Sequence, residues 1–433
     1  MSKIKVVWIC HFSNENVRNK LTLKGYCFEN FVRKIFKKKQ KTLLDFAPWV
    51  NNLIKEFEKI GDVDLHIIAP HKGMVKQTEE FEHNGIKYHF FSSEREFPFN
   101  VIENHQNKKI DANFSRNRKI IKKFLDKINP DIVNLIGAEN PYYASSVLDI
   151  ENYPVYLSCQ TIYSNPDRER LQGGGVSHLN WSVEQDIFKK VLYYGTYNKT
   201  YYNLIKQYQP KANIFPMLFP ITKVRVDKVF DKEFDFVWFA SNISIKKGIY
   251  NAFNALVIVK QKYPNVKLVV IGQSTKEYRE TLVQETRSLG IEENVIFQEP
   301  FEKHQDLFNF VTKARIALLP VKLDVISSTI IESMTLGIPV VTNKTYGTPM
   351  LNLERETVLI SDIDDDDALA QNMLRLMEDQ NLYLKLKENG RFYVEEKYDN
   401  AKNAKLLAEQ YRIVINHYYN GIEIKEDSLL KVN

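Results

Sequence analysis

The chain has 433 residues, 44% of them apolar and 26% charged, with a formal net charge of +6. At about 100–200 residues per domain this predicts two or three domains, each long enough to bury its own core. The charge is too mild to point to nucleic acid by itself, and three scattered cysteines, Cys10, Cys27 and Cys159, with no CxxC and no His/Cys cluster, read as a reducing compartment without structural zinc.

The start, MSKIKVVWIC, runs straight into a strand and lacks a secretory apolar region. No apolar run approaches the roughly 18–20 residues of a membrane span, so a cytosolic protein is expected, with a membrane surface as the further option. Lys5 to Cys10 is that first strand. The loop after it, His11 to Asn16, contains no glycine and so carries no phosphate fingerprint. His11 stands at the strand's carboxyl end, where a ligand contact and a capped loop histidine are equally good readings.

Residues 31–41, FVRKIFKKKQK, are basic at Arg33, Lys34, Lys37, Lys38, Lys39 and Lys41, with no acid among them. Phe31, Val32, Ile35 and Phe36 give a partial apolar face at helical spacing. Such a stretch suits an anionic membrane surface, against the plainer reading of a solvated loop. No nucleic-acid motif accompanies it.

Asp45 to Ile60 reads as a helix, Leu65 to Ala69 and Ile86 to Phe91 as strands, and Asn117 to Ile128 as a basic helix ended by Asn129-Pro130. Asp131 to Ile136 and Pro154 to Ser158 are further strands. The turns after them hold Glu139 and Gln160, and Glu139 is the acid in this half best placed for a ligand hydroxyl, against the plainer reading of a turn carboxylate. Strands alternating with helices predict a doubly wound parallel sheet. Ser164 to Glu184 is irregular, with Gly173-Gly174-Gly175 suggesting a mobile loop, and His178 reads as a surface histidine. Pro210, Pro216 and Pro220 mark Gln209 to Pro220 as a linker.

The second half opens with a strand, Phe234 to Ala240, then Ser241 to Gly248, then a helix to Lys262. Strands at Lys267 to Ile271 and Val295 to Gln298 end at Gly272 and Glu299. Ile316 to Leu319 is a short apolar run closed by Pro320, the pattern of a buried parallel strand. A polar loop follows, and a helix starts near Thr329 with Ser327 or Ser328 as its cap. Gly337 and Pro339 stop that helix. The unsatisfied N–H groups of Ser328, Thr329 and Ile330 suit a phosphate, and Asp324 and Glu332 could reach sugar or ribose hydroxyls. Asp362 to Asp367 looks like a metal-binding DxD but is read as capping the helix from Ala368 to Met377. Asn400 to Tyr418 is a last helix, and Ile422 to Asn433 a frayed tail.

Asp324-x7-Glu332, Gly337-Ile338-Pro339-Val340-Val341 and Gly347-Thr348-Pro349 together resemble the donor-site signature of the retaining, nucleotide-sugar-dependent glycosyltransferases of family 4. Lys247-Gly248 is similar to the family's Gly-Arg-x-x-x-x-Lys-Gly, with Asn242 where the Arg stands and Ser241 where the Gly stands; Asp324 replaces the usual Glu. The resemblance covers roughly 235–398 well and the first half loosely.

That resemblance implies an α/β GT-B fold, two Rossmann-like domains facing a cleft: 1–220 for the acceptor, 221–399 for the donor, and 400–433 crossing back. It implies Lys247, Asp324 and Glu332 as the catalytic set, with Lys247 on the diphosphate, Asp324 on sugar hydroxyls and Glu332 on the ribose. Asn242, Gly272, Glu299, Ser327, Ser328 and Thr329 would line the donor. No metal or cofactor is expected beyond a UDP- or GDP-type sugar as substrate. The implied partners are that nucleotide sugar and a glycan or polyprenyl-linked acceptor, in surface polysaccharide synthesis. An epimerase or phosphorylase on the same fold, or a non-catalytic partner subunit suggested by Asn242 and Asp324, are the alternatives.

Overall fold

The computed structural model describes residues 3–23, 45–93, 114–164, 178–222, 230–301, 303–323 and 326–431. The basic 31–41 stretch, Cys27, the Gly173–Gly175 run and Asp324 lie outside them. The chain divides into two compact units, one of residues 1–169, 174–222 and 400–433, the other of 170–173 and 223–399.

The first unit is built on eight strands: β1 (Ile4–Ile9), β2 (Val63–Pro70), β3 (Thr78–His83), β4 (Ile86–Phe91), β5 (Ile132–Ile136), β6 (Val155–Ser158), β7 (Tyr193–Thr196) and β8 (Asn213–Pro216). Their order is β3-β4-β2-β1-β5-β6-β7-β8. Every pairing is parallel except β3 with β4. The central strands are apolar on both faces, as a sheet covered by helices requires: Val6, Val7, Trp8 and Ile9 of β1 are fully buried.

The proline-rich stretch read as a linker contains β8. Pro216 closes this edge strand, a place that loses no ladder hydrogen bond to the missing N–H. The expected frayed tail is also ordered through residue 431. Leu430 N–H donates to Ile214 C=O at 2.7 Å, and Ile424 is buried, so the tail covers the β8 edge. The helix Asn400–Asn420 belongs to this unit: Asn134 Nδ2 donates to Tyr411 Oη at 2.6 Å, and Tyr156 Oη donates to Gln410 Oε1 at 2.7 Å.

The second unit is a six-stranded parallel sheet: β9 (Phe234–Asn242), β10 (Leu268–Gln273), β11 (Val295–Gln298), β12 (Ala314–Leu319), β13 (Val340–Asn343) and β14 (Leu359–Ser361). The order is β11-β10-β9-β12-β13-β14. The chain winds outward from β9 to β11, then starts again at β12 on the other side of β9. The loops after β9 and β12 therefore part at a crevice, the topological switch point where ligands of open α/β sheets bind. The first sheet has the same reversal between β1 and β5.

Candidate functional site

The loop after β9 is set by four hydrogen bonds. Ile243 N–H donates to Gln273 C=O at 2.9 Å, and Trp238 Nε1 donates to Lys247 C=O at 3.2 Å. Lys246 C=O accepts from Lys322 N–H at 3.0 Å and Leu323 N–H at 3.3 Å, stitching this loop to the one after β12. Ile245–Lys247 form a 3-10 turn, and Gly248 follows at φ +73°. A Cβ at Gly248 would overlap the Pro320 carbonyl oxygen, so glycine here is needed both for its dihedral and for the close approach of the β12 loop.

Pro320 ends the run from β12, and the chain re-enters a helix at Ser328–Thr335 with Ser327 as N-cap in extended backbone. Ile330, Ile331, Ser333 and Met334 are buried, and exposed Ser328 and half-buried Glu332 stand one turn apart on a neighbouring face. Lys247 Nζ donates to Ser327 Oγ at 3.4 Å, and Ser327 Oγ lies 3.0 Å from Thr329 Oγ1. An ammonium, two hydroxyls and a helix N-terminus thus meet at the switch point. All three favour an anion, the helix through its dipole and its amide N–H groups. Of the three N–H groups expected for a phosphate, Ile330's is engaged, donating to Ser327 C=O at 3.0 Å as the first turn tightens.

Glu332 sits in the second turn, too far along to serve the helix dipole as a first-turn acid would. Burial pushes its carboxyl up from 4.5 to about 7. The folded state therefore holds a proton that the unfolded chain releases between these values, and stability falls as pH rises through that window. Glu332→Gln should match the wild type at pH 4 in urea titrations of unfolding and exceed it at pH 8, by on the order of 3 kcal/mol. Equal pH slopes for the two proteins would show that the carboxyl is solvated.

Asn242 is the exposed last residue of β9, in register with Gln273 of β10. Gly272 lies against the β9 end, where a Cβ would come within 2.9 Å of Ala240 O and of Ile243 Cγ1. Glu299 follows β11, two strands from the switch point, with its side chain exposed. The structure thus brings Lys247, Ser327, Ser328 and Thr329 together and sets Asn242 and Gly272 beside each other on the neighbouring strand ends.

Arg279 escaped the sequence reading. Its guanidinium lies over Phe297 at 5.0 Å, with Nε donating to Ser274 Oγ at 3.2 Å and Nη2 to Gly272 C=O at 3.4 Å. An arginine in a charged surface helix, KEYRETLVQETRS, gives no signal that it folds back onto a strand end. The acidic run behaves structurally: Asp365 caps Ala368 N–H at 2.9 Å, and Asp366 accepts from Asn251 at 2.6 Å and Asn254 at 2.7 Å. No group of three metal-ligating side chains occurs among the described residues, nor does any helix long and apolar enough to cross a membrane.

Residues 220–392 match the family model for glycosyl transferases group 1. The capsular polysaccharide biosynthesis glycosyltransferase CapM of Staphylococcus aureus is 27% identical over 190 residues, 44% of this chain and 48% of that protein. The chain spans about half the length of that relative. Among solved structures, trehalose 6-phosphate synthase from Burkholderia multivorans superposes with TM-score 0.67 at 11% identity, covering 98% of this chain and 99% of that one. Sucrose-phosphate synthase from Thermosynechococcus elongatus gives 0.65 at 14%, covering 95% and 98%. Anabaena HepE, solved in complex with UDP and glucose, gives 0.63 at 14%, covering 94% and 99%. Likenesses this distant in sequence show the fold, which is GT-B.

Proposed function

We propose that this chain, a GT-B protein whose residues 220–392 are a glycosyl transferases group 1 domain, moves a sugar from a nucleotide-sugar donor to a glycan or lipid-linked acceptor. The observation that carries the reading is Lys247 Nζ at 3.4 Å from the cap of the Ser328–Thr335 helix, at the switch point of the matching domain. When the bond between the anomeric carbon and the diphosphate breaks, negative charge gathers on the leaving oxygen and positive charge on the sugar ring. A fixed ammonium and the N–H groups of Ser328 and Thr329 would stabilise the first, and they cost no reorganisation because the fold already holds them. The acceptor hydroxyl then attacks the anomeric carbon and passes its proton to the departing diphosphate, so one C–O bond forms as the other breaks.

We assign Glu332 to the ribose, Asp324 to sugar hydroxyls, and Asn242, Gly272 and Glu299 to the nucleotide side of the donor. Retention of anomeric configuration and a place in surface polysaccharide synthesis complete the proposal. The capsular polysaccharide role of CapM and the UDP and glucose bound by HepE support the polysaccharide and donor parts of it. The reaction as written needs no cofactor besides its substrate.

A panel of UDP-, GDP- and CMP-sugars tests the reading by thermal shift, because a ligand that binds only the folded state raises its melting point by mass action. At least one should do so, and should release nucleoside diphosphate faster when glycan acceptors are added. Free sugar released at an unchanged rate whatever the acceptor would favour an epimerase. Asn242, in place of a second cation, is what would favour a non-catalytic subunit; calorimetry showing no nucleoside diphosphate binding would settle for that instead.

A further inference from the structure

The first unit has its own switch point, between β1 and β5, and the residues gathered there have a chemistry unlike the second unit's. Gly137, at φ +79°, turns the chain after β5 so that the Glu139 carboxylate folds back over it; a Cβ there would lie 2.6 Å from Glu139 Oε2. Gln160, in the loop after β6, bridges two groups when its amide is oriented to satisfy both. Its nitrogen donates to Glu139 Oε1 at 3.0 Å and its oxygen accepts from Trp49 Nε1 at 2.9 Å. Asn140 Nδ2 also reaches Glu139 Oε1, at 3.5 Å.

Two large aromatics stand open beside this chain of hydrogen bonds, Phe46 at 36% exposed and Trp49 at 37%. Neither belongs to the face of the helix Pro48–Phe57 that enters the core, which consists of Val50, Leu53, Ile54 and Phe57. Their placement is built. Phe46 and Ser13 exchange backbone hydrogen bonds at 3.1 and 3.4 Å, and Ala47 takes φ 52°, a left-handed conformation that a non-glycine residue adopts at a cost. The Phe46 ring meets His11 edge-on at 4.3 Å, and the Tyr142 hydroxyl bonds His11 Nδ1.

A pyranose ring offers a C–H face that packs on an aromatic ring and a rim of hydroxyls that seek carboxylate and amide oxygens. A few fixed polar groups beside aromatic surface is how small-ligand sites are made. A phosphate or a nucleotide would meet the Glu139 carboxylate unfavourably. We propose that this second switch point binds a sugar ring of the acceptor, with the ring's C–H face on the Trp49 indole and its hydroxyls on Glu139 and Gln160. The acceptor is then a molecule that ends in a sugar, not a bare lipid phosphate. The inference rests on the glycosyltransferase reading and adds the chemistry of the second substrate.

The test uses the full chain, the nucleotide sugar selected by the panel, and two kinds of acceptor: octyl glycosides and a polyprenyl phosphate without sugar. Octyl glycosides should accept, and Trp49→Ala should raise their KM about tenfold while leaving the Kd for the nucleoside diphosphate at its wild-type value. Trp49→Phe, which keeps an aromatic face, should recover most of the loss. An acceptor KM within twofold of wild type in Trp49→Ala, or transfer only to the bare polyprenyl phosphate, would overturn the inference while leaving the glycosyltransferase reading standing. Failure of every nucleotide sugar to turn over would sink that reading instead. Quenching of the wild type's tryptophan fluorescence by octyl glycosides, diminished in Trp49→Phe, would still support the sugar site, and its absence would overturn it.

Discussion

Lys247→Ala should lower kcat/KM for the nucleotide sugar by about 10²- to 10³-fold, the usual loss when one preorganised charge stabiliser is removed from a developing anion. Both parameters should move. The ground-state diphosphate already carries charge, so KM rises; the leaving oxygen carries more in the transition state, so kcat falls as well. Lys247→Arg should restore only part of the rate. A guanidinium is a wide planar fork, and the lysine reaches Ser327 Oγ as a compact ammonium at 3.4 Å. The melting curve should change little, because that contact to a hydroxyl contributes only about 1 kcal/mol or less. Kinetics of the purified variant within threefold of wild type would remove Lys247 from the diphosphate.

Gly248→Val should have the largest effect on stability. Two costs add. A β-branched residue at φ +73° is outside its comfortable conformations, and the new side chain overlaps the Pro320 carbonyl oxygen, which is itself held by Asn343 Nδ2 at 3.1 Å. Left-handed backbone costs about 1–2 kcal/mol and overpacking about 1–3, so roughly 2–5 kcal/mol is expected. For a unit of this size that lowers the thermal midpoint by about 10 °C. Gly337→Ala is the control. Its φ is +68°, but the new Cβ would meet only the Arg391 side chain, with Nε at 3.0 Å. A flexible arginine can give way and a clamped carbonyl cannot, so a larger loss at Gly337 than at Gly248 would refute the account.

The second sheet was legible because its strands are short apolar runs closed by breakers. Ile316 to Leu319 before Pro320, and Val340-Val341 after Gly337 and Pro339, leave little freedom in where the loops between them emerge. Lys247-Gly248 could be read for the same reason, as local punctuation in front of a helix. What stayed hidden depends on partners far away in the chain. β3 reads TEEFEH, an edge strand with one charged face, and shows no core signal. The helix Lys276–Ser288 buries little more than Leu282 and Thr286, so its periodicity is weak. Glu139 could be read from its turn after β5, but Trp49 and Gln160 are each unremarkable alone, and only the winding of β1, β5 and β6 sets the three side by side.

The path of the backbone through the two units carries a cost during synthesis. Asn400 clips the exit to the entry, its Nδ2 donating to Ile221 C=O at 2.8 Å and its Oδ1 accepting from Ile221 N–H at 3.1 Å. Residues 223–399 are therefore nested inside the first unit, and can mature on the ribosome as a separate piece. The earlier half cannot. Until Tyr411 and Gln410 emerge, Asn134 and the Tyr156 hydroxyl have no lid, and the nascent first sheet waits with an open apolar flank. A chaperone that shields that flank for the translation time of the nested segment would thus act on the part of the chain made first and closed last.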